Sequence, residues 1–311
     1  MKVVVTDWGF PSLEQEREIF ARHGIELEDH QCKTEEEVAA IVADADVVMA
    51  QWAPVKAKAI AAMRQCKGIV RYGIGLDNVD LQAAKDRGIP VRNVPDYCLN
   101  EVADHTMALL LALQRQVAHV QSLVRSGKWS ITPPQTLPPL RRCTLGLLGF
   151  GRIARLVARR AQPFGITTIA FDPYAEEHLF LEFATRRVDL PTLFSSSDIL
   201  SLHSPLTDET GHVVNARNIA LMKSHALIVN TGRGGLVHTV DLTEALRQTK
   251  IAGAALDVLE VEPIAKDDPL LAMENVIITS HNAWYSSASV SELQRLAALA
   301  AVELLKKGKV G

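Results

Sequence analysis

In the second half of this chain, five side chains able to do chemistry each follow directly on a short apolar run: Asp172, His203, Arg233, Asp257 and His281. Such runs read as buried strands, and in an open α/β sheet ligands bind at the carboxyl ends of the strands. The five are therefore expected at one edge of one sheet. Arg233 stands among glycines in Thr231-Gly232-Arg233-Gly234-Gly235, where a guanidinium can fork around the carboxylate and carbonyl of a 2-keto acid. His281 offers a proton donor that titrates near neutrality. Glu262, just before Pro263, can bond the imidazole, fix its tautomer and raise its pKa. Hydride transfer asks little more of a protein, because a nicotinamide carries the electrons. Taken singly, each has a plain alternative: a structural ion pair, a satisfied strand-end histidine, a solvated loop acid. Their succession beside a dinucleotide site favours chemistry. The other eight histidines show no metal-ligand spacing, so no metal site is expected.

That dinucleotide site is the stretch Thr144–Asp172. An apolar run (Leu145, Leu147, Leu148) leads into Gly149-Phe150-Gly151-Arg152-Ile153-Ala154, then a helical face, then a second apolar run ending on Asp172. Strand, tight glycine turn, helix, strand and terminal acid is the order that dinucleotide binding requires. Gly149 permits the turn, Gly151 keeps side-chain atoms away from a pyrophosphate, and Ala154 allows close helix–strand packing. The helix beginning near Arg152 and Ile153 turns unpaired N–H groups toward the phosphates. Asp172, 21 residues after Gly151, can accept from both adenosine ribose hydroxyls. It would repel a 2′-phosphate, and Pro173-Tyr174 supplies no Arg to bind one, so NAD is the expected cofactor.

The first hundred residues also alternate strands and helices, with strands at Val3–Thr6, Val47–Ala50 and Gly68–Arg71, which implies a second parallel sheet. It has no glycine fingerprint. Its strand-end loops instead hold Gln51-Trp52 and Arg71-Tyr72-Gly73-Ile74-Gly75, whose backbone N–H groups could cradle a carboxylate; an ordinary glycine turn is the plainer alternative. Leu99–Ser126 reads as one long apolar helical stretch, expected to link the halves and to offer apolar surface to a subunit interface. Ser130–Pro139, with four prolines, reads as an irregular loop. A length of 311 residues, 48% hydrophobic, suits two domains. A net charge of −3 gives no reason to expect nucleic acid or an anionic membrane as partner. Four scattered cysteines, no signal-like start and no membrane-length apolar run point to a reducing, cytoplasmic setting.

Seven ordered motifs carry a resemblance across nearly the whole chain: RYGIGLDNVD (71–80), VPDYCLNEVADHT (94–106), GLLGFGRIA (146–154), HSPLTDET (203–210), VNTGRGGLV (229–237), ALDVLEVEP (255–263) and SHNAW (280–284). They resemble the D-isomer-specific 2-hydroxyacid dehydrogenases, NAD-dependent oxidoreductases acting on the CH–OH group of D-2-hydroxy acids. The resemblance implies that Arg233, Glu262 and His281 are the catalytic set. It further implies that Asp257 meets the nicotinamide carboxamide and that Ser204, Pro205, Thr231 and Thr106 belong to the cofactor site. The implied fold is α/β with two Rossmann-like parallel-sheet domains. One is a discontinuous, flavodoxin-like substrate domain (1–98 and 284–311), the other an NAD-binding Rossmann domain (99–283), with the active-site cleft between them. Homodimers through the NAD-binding domain are also implied.

PDYCLNEVADHT and HNAWYS look closest to the branch of C-terminal-binding proteins and phosphoglycerate-dehydrogenase-like members. An NAD(H)-sensing co-regulator and a phosphoglycerate dehydrogenase are therefore the alternatives to a 2-keto acid reductase. In that branch a Trp at position 284 lies beside the substrate, so the expected substrate-side residues are Gln51, Trp52, Arg71, Tyr72, Gly73, Ile74 and Trp284. Arg71 is the one cation in the two loops, which points to an unphosphorylated substrate.

Overall fold

A computed structural model describes residues 1–133 and 135–307. The chain divides into two compact units, one comprising Met1–Cys98 and the residues from Tyr285 onward, the other Leu99–Trp284. Pro134, in the proline-rich loop, and residues 308–311, in the expected substrate domain, lie outside the described residues.

The first unit opens with β1 (Lys2–Val5), α1 (Glu14–Ala21), β2 (Glu26–Asp29), α2 (Glu35–Ile41), β3 (Val47–Ala50), α3 (Ala57–Ala62), β4 (Ile69–Arg71), α4 (Leu81–Asp86) and β5 (Val91–Arg92). Its five strands are parallel in the order β2-β1-β3-β4-β5. The inner strands are apolar and buried because helices cover both faces of a parallel sheet. The edge strand β2 reads Glu-Leu-Glu-Asp, with no apolar run to betray it in the sequence. Thr34 and Glu37 close a reciprocal capping box at the start of α2.

The second unit begins with α5 (Leu99–Gln114) and α6 (Val117–Arg125). The expected single helix is broken at Gln116, whose φ of 54° is left-handed and cannot continue a right-handed turn. Then come β6 (Thr144–Leu148), α7 (Arg152–Ala161), β7 (Thr167–Phe171), α8 (Glu177–Glu182), β8 (Arg186–Arg187), α9 (Leu190–Ser196), β9 (Ile199–Leu202), α10 (Ala216–Ile219), β10 (Leu227–Asn230), α11 (Thr239–Arg247), β11 (Gly253–Leu256) and β12 (Val276–Ile278). All seven strands are parallel, ordered β12-β11-β10-β9-β6-β7-β8. The pleat sends Leu145 and Leu147 of β6 to one face, packed with α5 and α7, and Leu148 to the other, packed with α9, α10 and α11. The strand order reverses between β6 and β9, so the loops leaving those two strands diverge, the geometry at which open sheets bind nucleotides.

The chain finally returns to the first unit in α12 (Ser287–Lys307), which lies against α1, β3 and β4. A Cβ on Gly68 would stand 2.5 Å from the Leu304 side chain, so a glycine lets this helix lie close on β4. Gln294 donates to the Ser12 carbonyl at 2.8 Å and to buried Glu16 at 2.9 Å, and the Tyr72 hydroxyl also donates to Glu16. Burial pushes the Glu16 carboxyl up, while these bonds partly oppose the shift. Among the described residues, no helix is long and apolar enough to cross a membrane.

Candidate active site

At the reversal of strand order, Gly149 adopts φ +83° and a Cβ there would lie 2.8 Å from the Ser204 nitrogen. Backbone meets backbone, so only glycine fits. Around Gly151 the opposite holds: a Cβ would meet nothing within 4 Å, leaving open space in front of the α7 N-terminus. Ser204 Oγ is buried and, among the described residues, has no hydrogen-bond partner. An open cradle, a helix N-terminus and an orphaned hydroxyl together fit a dinucleotide pyrophosphate. Arg152 is the first residue of α7, and the partly buried Ile153 side chain packs against the core under it. Pro205 supplies a carbonyl that accepts from Thr210 Oγ1 at 2.6 Å, which ties down the loop after β9.

Asp172 stands at the tip of β7, and its carboxylate accepts three backbone N–H bonds, from Phe150 (2.8 Å), Tyr174 (2.9 Å) and Ala175 (3.1 Å). It clasps the glycine turn. Contrary to expectation, an arginine does reach this turn. Arg187 of β8 donates to the Asp172 and Pro173 carbonyls at 3.1 and 3.3 Å. It comes from the neighbouring strand, fifteen residues on, where sequence proximity gives no sign of it.

Arg233 is placed by the side chain of Asn230, wholly buried at the end of β10. The Asn230 amide oxygen accepts from the Gly232 N–H at 3.0 Å and its NH₂ donates to the Arg233 carbonyl at 2.9 Å. One amide thus fixes both ends of the turn that bears the guanidinium. Arg233 Nη1 donates to the Gly232 carbonyl at 2.7 Å; a guanidinium has five donors, enough for this bond and a two-point clamp. Next to it, Gly234 meets the loop after β11 so closely that a Cβ would overlap the Leu259 carbonyl at 1.8 Å. Asn230 and Gly234 lie inside a recognised motif, but their positioning roles depend on contacts that no spacing reveals.

Glu262 and His281 meet: Oε2 lies 2.7 Å from Nδ1, with His281 half-buried and Glu262 more exposed. The other carboxylate oxygen accepts the Leu259 N–H at 2.9 Å. Burial pushes the Glu262 carboxyl up, but the His281 and Leu259 bonds and the charges of His281 and Arg233 hold it below its ordinary value. A carboxylate on Nδ1 fixes the ring so that Nε2 is the nitrogen able to pass a proton onward. His281 itself has φ 54°, a left-handed conformation imposed by its loop. Asp257 builds that loop. It is buried, and its carboxylate accepts from Thr279 Oγ1 (2.6 Å) and from the Asn282 and Ala283 N–H groups (both 3.0 Å), while its carbonyl accepts from His281 N. His105 Nε2 lies 3.1 Å from Thr279 Oγ1. Asp257 therefore holds the histidine, a role the sequence did not suggest. His203 is inert by comparison: burial lowers its pKa to about 4, leaving a neutral ring bonded to Ser201 Oγ at 2.8 Å.

Three expected contacts are buried instead. Thr106 is 0% exposed and its hydroxyl pairs with Thr231 Oγ1 at 2.8 Å, so it supports the Thr231 loop. Tyr72, 1% exposed, is held by Glu16, and burial drives its phenol well above the ordinary range. Gln51, 2% exposed, accepts from the Gly9 N–H at 2.7 Å. Tyr72 and Gln51 brace the first unit's loops. Exposed Trp52 does remain at the end of β3, with the Arg71 guanidinium 5.4 Å from its ring centroid. Arg71 folds over Gly73, where a Cβ would lie on its Nη1, and the Ile74 carbonyl accepts from Asn93 Nδ2. Trp284 belongs to the second unit, where its indole N–H donates to the His281 carbonyl at 3.0 Å.

Residues 107–283 match the family model described as D-isomer specific 2-hydroxyacid dehydrogenase, NAD binding domain. The chain is similar to the hydroxypyruvate reductase of Thermotoga maritima, 40% identical over 275 residues, covering 88% of this chain and 87% of that one. It is 38% identical to the D-3-phosphoglycerate dehydrogenase of Methanocaldococcus jannaschii over 99% of its own length but only 57% of that protein's. Among solved structures, the D-lactate dehydrogenase of Aquifex aeolicus complexed with NAD and lactic acid aligns with a TM-score of 0.89 at 28% identity, covering 99% of this chain and 96% of that one. These similarities cross several activities and single out no branch.

Proposed function

The chain belongs to the D-isomer-specific 2-hydroxyacid dehydrogenase family, and from that premise we propose that it interconverts a small, unphosphorylated 2-keto acid and its D-2-hydroxy acid with NAD(H). The observation that carries this reading is the 2.7 Å pair between Glu262 and His281, held in the unit that bears Arg233 and the glycine cradle. The dinucleotide, when bound, supplies or takes the hydride. Arg233 clamps the substrate carboxylate and polarises its carbonyl, so the charge developing on oxygen is met by a fixed cation. His281 gives that oxygen a proton from Nε2, and Glu262 holds the ring through Nδ1 and stabilises the imidazolium before transfer. Gly149, Gly151 and Ser204 seat the pyrophosphate and Asp172 the adenosine ribose, which favours NAD(H) over NADP(H). On the substrate side we assign Arg71 and Trp52, with Trp284 setting side-chain size.

The second unit also offers a surface for a second copy of the chain. No residue of α6 is buried, and Val117, Val124, Trp129 (83% exposed) and Ile131 (94%) are all solvent-facing. We assign this surface to a homodimer contact; light scattering on the Trp129→Glu, Ile131→Glu variant checks it, and a monomeric parent protein would refute it.

A co-regulator that senses NAD(H) could retain the same pair without turnover. Reductase assays with NADH on glyoxylate, hydroxypyruvate, pyruvate, bulkier 2-keto acids and 3-phosphohydroxypyruvate separate the readings. Steady turnover of an unphosphorylated acid is expected, and Trp284→Ala should change the size preference. If 3-phosphohydroxypyruvate is the best substrate, or if Trp284→Ala lowers only thermal stability, the substrate assignment is wrong.

A further inference from the structure

Glu262 reaches His281 from a loop of six residues, 257–262, that leaves β11. Its first residue, Asp257, is tied to the His281 loop. Its last, Glu262, is bonded back to Leu259 within the same loop. Neither contact fixes the middle of the loop against the rest of the unit, where Val261 is solvent-facing. Val258 is buried and Leu259 packs on the core beneath the loop, and the polar tie comes from Glu260. One carboxylate oxygen takes the Thr239 N–H at 3.0 Å, the first residue of α11, and the other lies 2.6 Å from His212 Nε2. The His212 ring is backed edge-to-face by His238, with centroids 4.9 Å apart. Asp241, in the same first turn of α11, accepts the Ala216 N–H at 2.7 Å and so ties α11 to α10. Three segments thus converge on one carboxylate: the loop after β9, the start of α11 and the loop that bears Glu262. Burial pushes the Glu260 carboxyl up, but the Thr239 and His212 bonds hold it below its ordinary value, so it is ionised at neutral pH.

We propose that Glu260 is the positioning residue for the acid–base pair: anchored on Thr239 and His212, it sets the loop register that places Glu262 on His281 Nδ1. The proposal rests on the reading of those two residues as the proton relay. Glu260 touches neither substrate nor cofactor; it acts through Glu262. A carboxylate with acceptors on both oxygens suits two donors at an angle, which Ala removes and Gln only half preserves.

The test uses the full-length protein and two readouts. One is the downfield proton resonance of His281 Nδ1–H, assigned by its loss in His281→Ala and observable without substrate. The other is kcat against KM for the best keto acid, with the NADH Kd measured separately. Glu260→Ala should broaden or shift the resonance and lower kcat about 10- to 100-fold, the cost of roughly an ångström of misplacement, with NADH Kd and KM within about threefold. His212→Ala should lower kcat about 3- to 10-fold, and His212→Gln, whose amide can replace the Nε2 donor, should restore most of it. Should Glu260→Ala fail to fold, Glu260→Gln and the His212 pair carry the same comparison. Glu260 and His212 variants that melt earlier yet keep the resonance and kcat overturn the proposal. Unimpaired turnover in His281→Ala would instead refute the relay reading itself, which the Glu260 result alone cannot do.

Discussion

Gly234→Ala is the smallest perturbation with a large expected effect. The added methyl carbon would stand 1.8 Å from the Leu259 carbonyl oxygen, 1.9 Å from its carbon and 2.5 Å from the Glu260 nitrogen, where ordinary contact begins at 3.4 Å. All three are backbone atoms, so no side chain can swing aside. The loops must part by more than an ångström. The Asn230 amide pins the Arg233 turn, so the displacement falls on Leu259 and Glu260 and strains the anchor that Glu260 makes with Thr239 and His212. Moved that far, Glu262 leaves hydrogen-bond reach of His281, now 2.7 Å away. An ångström of misplacement costs about 10²-fold, so kcat should fall by roughly that factor, with about 1–3 kcal/mol of stability lost to overpacking. Gly235→Ala is the matched control: its methyl would meet only the movable end of Leu206. Steady-state reduction with NADH, NADH fluorescence titration and thermal melting give the three numbers needed. Turnover of Gly234→Ala within threefold of wild type would refute this account of how the two loops are held.

Gly151→Ala should leave the melting temperature unchanged, since its methyl enters open space, while weakening NADH binding because that space is the pyrophosphate's; equal NADH affinity would move the cradle elsewhere. Asp172→Ala should weaken both dinucleotides through loss of the clasp on the glycine turn, NADH more than NADPH, and comparable wild-type kcat/KM for the two would remove Asp172 as the discriminator. Glu262→Gln should make reduction fail at a lower pH, because the protonated ring loses its anionic neighbour. The Glu262 carboxyl is held below its ordinary 4.5, so the pair's contribution to stability is complete above the carboxylate range and disappears as pH falls through the lowered value. Melting curves of Glu262→Gln and wild type should therefore converge in acid, and a gap constant with pH would refute the linkage.

The residues proposed to do chemistry were legible because parallel strands are apolar runs and these side chains stand within three residues of strand ends, as with Asp172, Arg233 and His281. The residues that hold them were not. Asp257 and Glu260 act through hydrogen bonds to segments distant in the chain, Asn230 through an amide that bridges its own turn, and Arg187 reaches Asp172 across a strand pair. The burial of the Tyr72 and Gln51 side chains was hidden for a related reason: a strand-end loop exposes some side chains and buries others, and composition does not say which. β2 and the break at Gln116 escaped because a polar edge strand lacks a hydrophobic period and a helix break needs only one left-handed residue. The return of α12 to the first unit is a long-range pairing, marked locally only by Gly68.

The central claim, that His281 on Glu262 is the proton donor of an NAD(H)-linked keto acid reductase, meets its most direct test in His281→Ala. NADH should bind the variant with the wild-type Kd, while kcat for the best 2-keto acid falls about 10²- to 10⁴-fold, the range of a positioned acid–base group. Wild-type protein that binds NADH but turns over no 2-keto acid, or a His281→Ala variant that turns over as wild type, would contradict it.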